Sequence, residues 1–151
     1  MNKSSKCPAI RVVMMPAHTN GMGNIFGGVI LSYIDVAGAI GARETVSNRL
    51  VTVCMKEVVF KKPVHVNDLL TCWAEVTRVG KTSITTHVEV EVSRNGKIIQ
   101  VTDAIVVYVA VDSEGKPTPV QLYARKKHCR RGCPRAGRSQ RKPASRKRSS
   151  R

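Results

Sequence analysis

Residues 25–43 read IFGGVILSYIDVAGAIGAR. Ile30, Ile34, Ala37 and Gly41 recur at steps of three and four, with Phe26 and Tyr33 beside them, which is the period of a helix with one buried stripe. The spacing predicts a helix of about 16 residues following the pair Gly27-Gly28. The same steps counted from Asp35 give Gly28, Leu31 and Ser32 on one side and Gly38, Ala39 and Ala42 on the other, so the carboxylate sits on a face of mostly small residues. No Lys or Arg lies three or four positions from it. Small side chains let a sheet or a partner backbone come close, and a carboxylate there is partly shielded from water.

Beyond this segment the period changes to two. Leu50–Phe60 reads as a strand, ended by KKPVHVND. In Leu69–Val79 and Thr82–Val92, apolar and polar residues alternate as in half-buried antiparallel strands, joined at Gly80-Lys81. Asn95-Gly96 is a hairpin signal leading into Ile98–Val111, and Ile10–Met15 is a short strand ahead of the helix. One long helix with this set of strands predicts an α+β domain, a five- to six-stranded antiparallel sheet wrapped around one central helix. A single helix leaves part of such a sheet uncovered, so a second copy of the chain is expected as cover.

The 151 residues are 42% hydrophobic, with 11 Gly and 7 Pro, a composition that suits one globular domain and excludes collagen-like or wholly disordered chains. The net charge of +16 is unevenly placed: residues 125–151 hold 13 of the 26 Lys and Arg and none of the 10 acidic residues. That leaves 13 basic against 10 acidic residues in positions 1–124, a net of +3. The expected organisation is a leader over 1–9, the domain over 10–124, and a basic tail over 125–151 that builds no core and is disordered unless it meets a polyanion. No segment approaches the ~20 consecutive apolar residues of a membrane helix, and the N-terminus lacks the apolar run of a secretory signal, so a cytoplasmic protein is expected. Of the five cysteines, Cys54 and Cys72 read as buried thiols rather than parts of a disulfide framework. His128, Cys129 and Cys133 offer too few ligands for a metal site, and none is expected.

The loop HTNGMGNIFGG, residues 18–28, carries the least bland chemistry. Its glycines follow G-x-G-x-x-x-G with no acidic residue about 20 positions on and no G-K-[ST], so neither a dinucleotide nor a Walker loop fits. A glycine-rich turn into a helix start aims backbone N–H groups at a ligand oxygen, or is merely a tight turn. Asn24 is either a capping or Asx-turn residue or part of a site with Asp35. Ser32 has no histidine at a local spacing, and His18, His65 and His87 are isolated, with His87 expected to be exposed.

Taken together, MPAHTNGMGNIFGGVILSYIDVAGAIGAR, VTVCMKEVVFKKPVHVND, VGKTSITTHVEV and TDAIVVYVAVDSEGKP resemble the hotdog-fold acyl-coenzyme A thioesterases, in the small bacterial acyl-CoA hydrolase group. The likeness spans about Ile10 to Pro119 and several motifs arrive in the family's order. It implies the hotdog fold, back-to-back dimers that often build hexamers, and hydrolysis of acyl-CoA with no cofactor, since coenzyme A is part of the substrate and product. It implies that Asp35 is the catalytic carboxylate, as general base or nucleophile, and that Asn24 positions thioester or water from the opposite subunit. By the same resemblance the backbone N–H groups at Gly27 and Gly28 polarise the thioester carbonyl, while Arg78, Gly80, Lys81, Thr82 and Ser83 approach the coenzyme's phosphates. The family often has aspartate where this chain has His18 and Asn24. Two other functions compete: a hotdog hydratase or dehydratase on acyl thioesters, which needs a positioned histidine, and a non-enzymatic polyanion-binding module acting through the tail.

Overall fold

A computed structural model of the chain describes residues 7–56 and 58–123. The leader's first six residues and the basic tail, with His128, Cys129 and Cys133, lie outside the described residues. The elements run β1 (Ile10–Val13), one 3-10 turn (Pro16–His18), α1 (Gly27–Arg43), β2 (Arg49–Lys56), β3 (Leu69–Val79), β4 (Ser83–Arg94) and β5 (Lys97–Val111). The five strands form one antiparallel sheet in the order β1-β3-β4-β5-β2, curled around α1. This is the expected α+β architecture, with five strands among the described residues.

Alternation places the core. On β4, Ile84, Thr86, Val88, Val90 and Val92 are buried toward the helix while the residues between them are half-buried on the other face. On β5 the inward set continues through Ala104, Val106, Tyr108 and Ala110. The β4–β5 turn is tight because Asn95 (φ 50°) and Gly96 (φ 75°) both take the left-handed conformation that suits a two-residue hairpin.

From α1, Ile30, Ile34, Ala37, Gly38 and Ala42 face the sheet. The small residues are required by closeness. A Cβ at Gly41 would stand 2.9 Å from the Cβ of Ala74 on β3, and one at Gly38 would run into the Tyr108 hydroxyl and the Thr86 side chain. Phe26 is not part of the buried stripe: it is the residue before the helix and its ring is exposed.

Three other expectations are corrected. The strand read over Leu50–Phe60 stops at Lys56, paired with Ile105, and the chain meets β5 again only at Lys61, whose amide donates to the Val101 carbonyl at 2.8 Å. The segment between is apolar without being strand because Phe60 turns toward Gly27 at the helix start. Cys72 is buried, and burial pushes its thiol up to about 12, but Cys54 on the edge strand is only half-buried. Neither Cys54 nor Cys72 is in a disulfide. His87 is half-buried rather than exposed, with its Nε2 3.8 Å from the Asp103 carboxylate. No described helix is long and apolar enough to cross a membrane.

The segment 61–68 straps the sheet end to the loop before α1. Asp68 is 3% exposed and bound in two places by Arg94, Nε to Oδ1 at 2.8 Å and Nη2 to Oδ2 at 2.6 Å. The His65 amide also donates to it at 2.8 Å, and Arg94 reaches the Pro63 carbonyl. The Val64 carbonyl then receives the amide of Ile25, two residues before the helix.

Candidate active site

Asp35 lies at the middle of α1, half-buried, on the side of the helix that meets β2 and β5. Its Oδ1 accepts a hydrogen bond from the Thr52 hydroxyl of β2 at 2.7 Å. Its backbone carbonyl accepts one from the Tyr108 hydroxyl of β5 at 2.6 Å. Among the described residues no Lys, Arg or His pairs with the carboxylate, in keeping with the spacing in the sequence. The arrangement is a carboxylate bonded to one neutral hydroxyl, with the Tyr108 hydroxyl close by and acceptor capacity to spare.

The helix start is equally open. Phe26 offers no side-chain cap, and the first amide of the turn with a backbone acceptor is that of Val29, bonded to the Phe26 carbonyl at 3.0 Å. Among the described residues nothing accepts from the amides of Gly27 and Gly28, two of the orphan donors that a helix N-terminus presents. The Phe26 ring lies over Gly28, where a Cβ would collide with it, and the Phe60 ring stands 3.5 Å from the Cβ position at Gly27. Two free amides beside two aromatic rings make a donor pair of the kind that can accept the charge of an oxyanion.

The loop ahead is shaped by residues other than the one expected. Asn20, not Asn24, makes the Asx turn: its Oδ1 accepts from the amides of Met22 (2.9 Å) and Asn24 (3.2 Å). Gly23 follows with φ 78°, and the loop closes by the bridge Thr19–Ile25. Asn24 does not cap the helix, and among the described residues its side-chain amide has no hydrogen-bond partner. His18 takes its place in the scaffold, with Nδ1 accepting from the Met15 amide at 3.2 Å and its carbonyl receiving the Phe26 amide at 2.8 Å. This contact fixes the orientation of the His18 ring at the start of the loop.

Arg78, Gly80, Lys81, Thr82 and Ser83 come together at the β3–β4 hairpin, closed by the Gly80 amide on the Ser83 carbonyl at 2.7 Å. This hairpin lies at the other end of the helix from the glycine pair. The Lys81 carbonyl holds Val120, and the same strap continues to Thr45 and Ser47 just past the helix C-terminus. An α-helix rises 1.5 Å per residue, so within one protomer Gly28 and the end of α1 at Arg43 are roughly 22 Å apart. The fold therefore gathers the carboxylate with Thr52 and Tyr108, gathers the glycine amides with Phe26 and Phe60, and leaves the basic hairpin apart. An open cleft of about 630 Å³ beside Arg43, Arg49 and Tyr123 contains none of the expected catalytic residues.

Thr52 is a neighbour of Asp35 that the sequence did not single out. A threonine in a strand is unremarkable, and only the register of β2 against β5 brings it beside Asp35. Around it the surface is apolar and open: Val36 next to Asp35 is 50% exposed, and Val51 and Val53 flanking Thr52 are 43% and 56% exposed. β2 is also an edge strand of the sheet.

The sequence matches the Thioesterase superfamily over residues 22–99. It is 41% identical over 118 residues to the acyl-CoA thioester hydrolase YciA of Salmonella typhimurium, an alignment covering 75% of this chain and 89% of the relative. Among solved structures, Cj0915, a hexameric hotdog fold thioesterase of Campylobacter jejuni, superposes with a TM-score of 0.71 at 48% identity, covering 76% of this chain and 90% of that one. The hexameric thioesterase y2039 of Yersinia pestis gives a TM-score of 0.73 at 40% identity, over 77% and 96% of the two chains. With the helix, the sheet order and these likenesses in agreement, the chain belongs to the hotdog-fold acyl-CoA thioesterase family.

Proposed function

We propose that this chain hydrolyses acyl-CoA thioesters at a site that Asp35 serves as catalytic carboxylate and that two protomers share. The reaction adds water across the thioester C–S bond and yields the free acid and coenzyme A. The observation that carries the reading is the half-buried Asp35 carboxylate, unpaired with any described cation and bonded to Thr52, in a chain whose relatives are acyl-CoA thioester hydrolases. Asp35 takes a proton from water or attacks the carbonyl carbon itself. The amides of Gly27 and Gly28 receive the charge that develops on the carbonyl oxygen, a role in which one donor is worth ~10²–10³ in rate. Asn24 orients the thioester or water from the opposite protomer. Arg78 and Lys81, with Gly80, Thr82 and Ser83, supply donors and charge for the phosphates of coenzyme A.

Two features support assembly of the site between chains. The residues beside Asp35 and Thr52 are exposed valines on an edge strand, a surface that a second copy can cover by pairing along β2. The basic hairpin is remote from the glycine pair of its own protomer. The solved relatives named above are hexamers, and we extend a trimer of dimers to this chain. The tail over 125–151, with 13 basic residues, is assigned no part in hydrolysis and serves non-specific attachment to nucleic acid or anionic surfaces.

The test is subunit mixing, followed by thiol release from acyl-CoA. Asn24→Ala and Asp35→Asn proteins, each inactive alone, are dissociated together and allowed to re-form. With a shared site every heterodimer holds one intact site, and random pairing restores about a quarter of wild-type activity. Verified heterodimers with no recovered activity contradict the sharing, and a wild-type protein that releases no thiol from acyl-CoA of any chain length contradicts the function.

A further inference from the structure

Tyr108 is 1% exposed, and its hydroxyl is the one polar atom of a large side chain otherwise surrounded by core. A phenylalanine would fill nearly the same space without burying an oxygen. The hydroxyl is nonetheless accommodated at some cost to the helix, because it and the Thr86 Oγ1 occupy the notch where α1 has Gly38 and where any Cβ would collide with them. It donates to the Asp35 carbonyl at 2.6 Å, a carbonyl in mid-helix with a second lone pair to offer. Thr52, whose hydroxyl holds the Asp35 carboxylate at 2.7 Å, is the register partner of Tyr108 across the β2–β5 ladder. One cross-strand pair thus grips one helical residue twice, by its main chain and by its side chain.

We infer that Tyr108 is a positioning residue for the thioesterase reaction, its hydroxyl fixing the height of α1 on the sheet at which the Asp35 carboxylate meets Thr52. The inference rests on the reading of Asp35 as the catalytic carboxylate. Close packing at Ile34, Ala37 and Gly41 sets the spacing between helix and sheet, but the apolar driving force behind it is not directional. A hydrogen bond from a residue locked in the core supplies the direction. Burial pushes the Tyr108 hydroxyl above the ordinary tyrosine range, and the nearby Asp35 charge adds to this, so the group remains a donor at every working pH.

The measurement is steady-state hydrolysis by Tyr108→Phe at a temperature where it is fully folded, beside Val92→Ala, a buried β4 residue outside the site, as a control for lost packing. Tyr108→Phe should lower kcat about tenfold with KM within twofold, the scale of a misplaced catalytic group. Val92→Ala, with an equal or larger loss of Tm, should keep kcat within twofold. Gly38→Ala presses on the same hydroxyl from the helix side and should also lower kcat with KM unchanged. A Tyr108→Phe protein with kcat within twofold of wild type, a loss carried by KM, or an equal kcat loss in Val92→Ala overturns the inference; so does a folded Gly38→Ala protein with wild-type kcat. Asp35→Asn measured alongside separates the two layers. If it is inactive while Tyr108→Phe is unaffected, only the role of Tyr108 falls; if it is as active as wild type, the reading of Asp35 fails and the role of Tyr108 with it.

Discussion

Replacing Arg94 by alanine tests the strap that holds the pre-helix loop to the sheet. The substitution leaves the Asp68 carboxylate, 3% exposed, with the His65 amide in place of three donors, since the bonds at 2.8 Å and 2.6 Å from Arg94 are lost together. Breaking a buried pair from one side costs about 3–5 kcal/mol, and the lower figure applies because Arg94 is itself 28% exposed and water reaches the vacated space. For a domain of this size ~3 kcal/mol corresponds to a Tm lower by roughly 10 °C. The effect has a defined pH dependence. Burial by itself pushes the Asp68 carboxyl up, but the Arg94 guanidinium and the His65 amide outweigh it and hold the group below the usual aspartate range. A folded-state pKa below the unfolded value of about 3.9 stabilises the fold fully above that pH and loses the contribution as pH falls through the folded value. Without the guanidinium, burial raises the Asp68 carboxyl of the variant, so the Tm gap between wild type and Arg94→Ala should be widest near pH 7 and narrow as pH falls and the variant's Asp68 takes up its proton ahead of the wild type's. Thermal unfolding at equal protomer concentration reads it, because assembly makes Tm depend on concentration. A destabilisation under ~0.5 kcal/mol at pH 7, or a Tm gap that persists unchanged at pH 3, contradicts this role of Arg94.

Gly41→Ala gains ~1 kcal/mol of helix propensity in isolation, but its Cβ would stand 2.9 Å from that of Ala74, so the clash, at about 1–3 kcal/mol, should outweigh the gain and leave the protein up to ~2 kcal/mol less stable in denaturant unfolding. Removal of residues 125–151 should change acyl-CoA kcat/KM less than threefold while abolishing salt-sensitive retention on a polyanion column, where each duplex phosphate contacted contributes a log–log slope of roughly −0.9.

Much of the fold was legible because its signals are local. Alternation over β3 matched the strand to the residue, and Asn95-Gly96 marked its hairpin by backbone conformation alone. The small residues of α1 announced a close approach that Gly38 and Gly41 make with β4, β5 and β3. The limit of β2 was not legible, since Val58, Val59 and Phe60 continue an apolar run whose purpose is tertiary. In the loop, Asn20 and Asn24 are the same residue type, but Asn20 lies two residues before Met22 with a glycine between, the spacing of an Asx turn, and that signal was available. Asp35 could be singled out by its missing local cation. Thr52 and Tyr108 could not, because their importance arises from strand register and from the seating of a helix 73 residues away in sequence from Tyr108.

The catalytic role of Asp35 is tested by the turnover of acyl-CoA by Asp35→Asn. The amide is nearly isosteric with the carboxylate and can still accept the Thr52 hydrogen bond, so the fold and assembly should be retained. Loss of the base or nucleophile should lower kcat by ~10²–10⁴. A folded, assembled Asp35→Asn protein whose kcat stays within about threefold of wild type, far short of that range, would show that Asp35 does not carry the chemical step.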